Sequence, residues 1–240
     1  MHTVDHRGVC SIIAGSLLVE LVRKEPRLGT NQAERMQSIN VFIDAYYAVR
    51  PVSCRIPEIR LENLTLGSSS SALLQDWAVL HGPVIKAANT RHLAPILNEL
   101  AIKYFDSDSA EDTAVRTVCC ELCHFYHILY NSPMFLPDST KAELKTCLLT
   151  LGRSMQKLNA FSVGRGELSW WISPKVHYMQ HFEQQADLIN PRYTQCYAEE
   201  SLMGRIAKIW RATAVGQYAN IIQRAVLIRY LTVLVVSQHL

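Results

Sequence analysis

Only ten glycines and nine prolines interrupt 240 residues, and they leave long stretches in which apolar side chains recur three and four apart. That spacing lines one face of a helix, and no segment here shows the period-two alternation of a half-buried strand. A chain of many short strands needs frequent turns, and the glycine and proline for them are missing. The chain is therefore read as mostly α, a multi-helix globular domain spanning 1–240. With 49% hydrophobic and 19% charged residues, it can build a sizeable core and is not a disordered chain.

The stops place the helices. Val9, Ile12, Ile13, Leu17 and Leu21 predict a helix over 9–22, closed by Pro26 and Gly29. Thr30 or Asn31 then caps a second, with Ile39, Phe42, Ile43, Tyr46 and Tyr47 on one side. Pro51 to Pro57 breaks the pattern, and the serine run after Gly67 predicts a flexible loop about 66–72. Asn89 or Thr90 is the expected cap of a helix carrying Leu93, Ile96, Leu97 and Leu100. Ser109 caps the next, over 109–130, with acids in its first turn. Further helices are expected from Ser139 to about Asn159, from Ser173-Pro174 through "KVHYMQHFEQQADLI", over 190–213 and over 218–238. The apolar run Ala225 to Val236 is too short to span a bilayer and contains Arg229, so it reads as a buried terminal helix with no membrane role.

Net charge, at +3, is too small to name nucleic acid as a partner. The seven cysteines, Cys10, Cys54, Cys119, Cys120, Cys123, Cys147 and Cys196, are odd in number and irregular in spacing, and no signal-peptide pattern precedes them. Free thiols in a reducing, intracellular compartment are expected.

Three clusters could carry chemistry. In "CCELCHFYH", Cys120, Cys123, His124 and His127 share one helical face. One straight helix commonly gives a single metal two ligands and needs a return segment to close a site. These four are therefore expected to pack into the core and hold no metal. In "HYMQH", His177 and His181 lie four apart, but Tyr178 stands where a zinc-protease motif has Glu. In "CYAEESLMG", Glu199 and Glu200 suit a helix first turn. Their apolar surroundings also call for a cation, either a metal or one of Arg192, Arg205 and Lys208. The Gly-x-Ser-x-Gly and Gly-x-x-x-x-Gly-Lys patterns are absent.

Taken together, "HTVDHRGV", "PKVHYMQH" and "NPRYTQCYAEESLMGRIAKI", separated by a long helical middle, resemble RNase H-like eukaryotic DNA transposases. The similarity is to the CACTA and Kyakuja-Dileera-Zisupton kind, and it covers most of the chain. The resemblance implies the helical insertion plus the distal half of an RNase H-like fold, with at most a small remnant sheet near 1–5 and 190–197. It further implies two divalent ions, Mg2+ or Mn2+, bound by carboxylates for phosphodiester chemistry. Asp5 falls at the second catalytic Asp and Glu200, or its neighbour Glu199, at the Glu, with His177 and His181 near the same metal edge. DNA would be held through Arg192, Arg205, Lys208 and Arg211, and the location would be nuclear. The family's first Asp lies upstream of any position here. The expectation is a transposon-derived protein inactive alone, whose partner is a missing N-terminal half or a second copy. Two other readings stand beside it: a non-enzymatic all-helical interaction module, and a metal-binding helical protein using His177, His181, Cys196 and a Glu.

Overall fold

A computed structural model describes residues 8–50, 52, 54–64, 76–82 and 87–194. These residues form seven α-helices: α1 Val9–Lys24, α2 Gln32–Val49, α3 Ala87–Tyr104, α4 Ala110–Asn131, α5 Asp138–Gly164, α6 Pro174–Gln180 and α7 Phe182–Leu188. The expected mostly-α class holds. Among the described residues there is no sheet; residues 191–194 of the segment where a remnant strand was expected form a 3-10 turn instead. The single domain expected over 1–240 extends across residues 195–240, which lie outside the described residues.

Every residue of α1 from Val9 to Val22 is buried. A helix with apolar residues in every direction cannot lie at a surface, so the remaining elements coat it. α2, α3 and α4 pack around it, and the extended stretch 76–82 crosses it, Leu80 N donating to the Ser11 carbonyl at 2.8 Å. Gly15 makes that crossing feasible: a Cβ there would stand 2.5 Å from both Leu80 N and Val79 Cα. α1 stops at Glu25, where Pro26 starts a 3-10 turn and Gly29 takes φ 152°.

The capping expectations hold for two helices and fail for one. Asn31 caps α2 by accepting from Glu34 N at 3.0 Å, while the Glu34 carboxylate takes Thr30 N at 2.8 Å. Met36, Ile39, Ile43 and Tyr47 form its buried stripe. Ser109 caps α4, accepting from Asp112 N. α3, in contrast, is already helical at Ala87, so Asn89 and Thr90 lie inside its first turn. Both are buried and spent on tertiary bonds: Asn89 Nδ2 donates to the Arg55 carbonyl and the Thr90 carbonyl accepts from Cys10 Sγ. A helix start of this kind is decided by what the polar groups meet across the core, beyond local propensity.

Short loops make α3, α4 and α5 successive antiparallel neighbours, with α4 and α5 forming the most extensive helix seam. α5 runs five residues past its expected end at Asn159, to Gly164, and Gly166 at φ 71° turns the chain back. Residues 167–173 then return to α1. The helix expected to run through 173–189 is two: it breaks at His181, with α6 and α7 on either side.

Because Ala at position 15 would collide with backbone atoms, which cannot rotate away, Gly15→Ala is expected to destabilise the protein by about 1–3 kcal/mol despite alanine's better helix propensity. Urea unfolding should show a lower midpoint with an unchanged slope. An unchanged or raised midpoint would contradict the close crossing.

Candidate functional site

The return segment and α6 wall a cleft of about 580 Å³ whose lining includes Ile12, Val79, His81, Trp171, Ser173, Lys175 and Tyr178. The sequence builds it simply. Ile12 belongs to the fully buried α1, and Val79 and His81 to the segment that crosses it. Trp171 is stacked on Trp77 with ring centroids 5.8 Å apart. Lys175 and Tyr178 are three apart on α6 and so share a face. Ser173 ends the extended return and starts α6, yet its side chain makes no cap bond. Its hydroxyl is buried and has no hydrogen-bond partner among the described residues. A buried unpaired hydroxyl is costly, and nothing holds its rotamer against turning toward an incoming acceptor. Mainly apolar walls with a few polar groups are the usual make-up of a small-molecule site.

Trp170, the residue before Trp171, joins a charged cluster. Trp170 is fully buried at φ 56°, a strained value for so large a residue. Two bonds keep it there, its backbone N donating to Ser16 Oγ and its indole Nε1 to Glu20 Oε1, each at 2.7 Å. Glu20 is 4% exposed, and Arg165 reaches it at 3.8 Å while pairing with Glu167 and Glu111. Burial pushes the Glu20 carboxyl above its ordinary value, against the lowering effect of the Trp170 bond. The bonds of this cluster run between α1, α4 and the 165–170 return and fasten them together. Since the native state holds this proton more tightly than the unfolded chain, Glu20 favours folding most at low pH. That contribution declines as pH rises from the ordinary carboxyl range through the raised native value. Glu20→Gln keeps an oxygen for the indole. Its stability relative to wild type is expected to climb with pH across that window and then level off, as read by urea midpoints from pH 4 upward. A flat difference would contradict a proton held on Glu20.

A third constellation spans α4 and α5. Cys120 and His127 are exposed and Cys123 and His124 half-buried, so this face of α4 is not the core face that was expected. The core thiol is Cys119, on the stripe Ala114, Val115, Val118, Cys119, Leu122, Phe125 and Leu129. His124 Nε2 stands 2.8 Å from Glu143 Oε1 and Nδ1 3.7 Å from Glu121 Oε2. Cys147 is buried beside them, its Sγ donating to the Glu121 carbonyl at 3.2 Å. The ligand atoms of Glu121, His124 and Cys147 lie within 4.8 Å of one another. Sequence reasoning found His124 but missed its partners, because Glu143 and Cys147 come from the next helix. Their four-residue spacing was the available signal.

His177 and His181 meet edge to face on an exposed side of α6, ring centroids 5.0 Å apart. Arg192 lies over the Tyr130 ring at 4.5 Å and donates to the Tyr130 carbonyl at 2.9 Å. Asp5, Glu199, Glu200, Cys196, Arg205, Lys208 and Arg211 lie outside the described residues, so the expected carboxylate pair and most of the expected DNA contacts have no described geometry. None of the described cysteines forms a disulfide, and no described helix is long and apolar enough to cross a membrane. Searches against family models, curated proteins and solved structures find no match for this chain.

Proposed function

We propose that this protein is a non-enzymatic, all-helical binding module whose cleft between α1 and α6 takes a small planar aromatic ligand with an anionic end. The observation that carries this is the buried Ser173 hydroxyl, unpaired among the described residues, in the lining of a mainly apolar cleft. Trp171 and Tyr178 offer ring faces to an aromatic body. Lys175 and His81 belong to the same lining as Ser173, which suits a carboxylate better than a neutral end. The volume, about 580 Å³, is within the range of small-molecule sites. 2-Naphthoate is the probe. It should quench tryptophan emission saturably, and Lys175→Glu should weaken its binding about fivefold or more, as expected for losing a partly exposed charge pair. Neutral 2-naphthalenemethanol should bind wild type and variant alike. Equal loss of both probes, or no saturable binding by wild type, would refute the anionic-end reading.

The second reading is the transposase one. What favours it is the exposed His177–His181 pair on the segment leading toward Glu200. In this reading Asp5, Glu200 and, as the alternative acid, Glu199 hold Mg2+ or Mn2+, while Arg192, Arg205, Lys208 and Arg211 contact DNA weakly and in a salt-sensitive way. Mn2+ binding followed by electron paramagnetic resonance should then be lost equally in Asp5→Asn and Glu200→Gln. Loss in only one of the two, or in neither, would remove the paired-carboxylate site.

A further inference from the structure

We propose that the α4–α5 seam is a binding site for one zinc-like divalent cation, held by Glu121, His124 Nδ1 and Cys147, with Glu143 fixing the imidazole through Nε2. Two helices are needed, and two are present. Glu121 and His124 are three apart on α4, Glu143 and Cys147 four apart on α5, and each pair therefore shares a face. This is the return segment that α4 lacks when its sequence is read alone.

The hydrogen bonding around His124 shows why a cation fits. A neutral imidazole carries one ring proton. Glu143 Oε1, at 2.8 Å, is placed to accept it from Nε2. That leaves the Nδ1 lone pair facing the Glu121 carboxylate at 3.7 Å, acceptor against acceptor. Either a second ring proton or a metal ion relieves this, and the thiol beside it favours the metal. Cys147 sits 2% exposed with its ligand atom inside the same cluster. A proton on His124 would give that sulfur nothing, whereas a metal would take it as thiolate.

Distances decide whether the three can close. A tetrahedral zinc with nitrogen, oxygen and sulfur ligands at about 2.0–2.3 Å sets its ligand atoms roughly 3.3–3.8 Å apart. The Glu121–His124 separation is already 3.7 Å. All three ligand atoms lie within 4.8 Å of one another, so side-chain movements of about 1 Å suffice. Imidazole with thiolate selects zinc or cobalt over magnesium. Three protein ligands leave a fourth position, and the His124 side chain, 36% exposed, is open to water that can fill it. The Glu143 carboxylate on the far nitrogen is the usual partner of a metal-bound histidine, setting its tautomer and ring angle. Burial keeps the Cys147 thiol protonated without metal. Binding therefore releases that proton as the sulfur–metal bond forms, and affinity rises with pH.

Cobalt(II) titration of the full chain tests this, because a thiolate ligand gives a sulfur-to-cobalt charge-transfer band and a tetrahedral site gives strong visible bands. Wild type should bind one equivalent with both signals, displaced by zinc. Cys147→Ser should lose the charge-transfer band, and His124→Ala should weaken binding at least 100-fold. Glu143→Gln should weaken it about 10- to 100-fold while keeping the band. Cys120→Ser, Cys123→Ser and the double His177→Ala, His181→Ala variant should retain it. His124 is partly exposed, so His124→Ala reports on the site even if Cys147→Ser does not fold. Absence of the band in wild type, as expected if a proton alone occupies the cluster, would overturn the proposal. So would a band that survives Cys147→Ser or vanishes with Cys120, Cys123 or the His177–His181 pair.

Discussion

The burial of α1 is the constraint from which the rest follows. Its apolar residues face every direction, so no single partner helix can cover it, and the chain answers with three helices and an extended crossing strap. The strap is the unusual part. Extended backbone in a core must find partners for its amides, and segment 76–82 finds them one at a time: Ala78 N on Leu168, Val79 N on Leu64, Leu80 N on Ser11 and His81 N on Asn63. These four carbonyls come from three different stretches of chain, so the strap orders α1, the 64 turn and the 168 return together. Gly15 is the small residue that lets it lie flat against the helix.

The polar residues inside α1 have a second consequence. Ser16 and Glu20 sit four apart, on one stripe, and would be costly there if unpaired. Trp170 satisfies both from a backbone angle that a residue of its size seldom takes. Arg165, which ends α5, joins Glu20 to Glu111 and Glu167, and Glu167 also meets Arg23 and Lys24 at the last turn of α1. The helix dipole favours cations at that end, so the pairing runs with the fold's own field. Because Trp170 is pinned inward, the next residue, Trp171, is placed against the cleft. The stability device and the candidate binding wall are thus consecutive residues of one strand-like stretch.

On α4, one residue separates two chemistries. Cys119 belongs to the core stripe, while Cys120 is exposed and Cys123 and His124 line the edge of the seam with α5. A rotation of about 100° per residue turns the neighbouring thiol out of the core. Cys120, Cys123, His124 and His127 do lie on one side of the helix, but it is the side turned away from the core. The Glu121–His124–Cys147 cluster arises where that edge meets α5, with Glu143 on the far nitrogen of His124.

What the sequence determined by itself was local. The long three-and-four periodicities specified helices at α1, α2, α4 and α5, since a stripe of apolar side chains can be buried in only one regular conformation. Asn31 and Ser109 specified where two of them start, because a side-chain oxygen within reach of its own helix's amides needs no help from elsewhere. Tertiary structure decided whatever depends on a partner distant in the chain. Asn89 and Thr90 lie inside a helix, the Asn89 amide spent on the Arg55 carbonyl and the Thr90 carbonyl on the Cys10 thiol across the core. α5 extends to Gly164, and Arg165 just beyond it pairs with Glu167 and, from distant parts of the chain, with Glu20 and Glu111. The cleft at Ser173 and the cluster at His124 each combine residues from separate elements, among them Ile12 with Trp171 and Glu121 with Cys147. Chain spacing carries periodicity, and periodicity is enough to make a helix. A site is an arrangement in space, and here it existed only once the covering of α1 had brought those elements together.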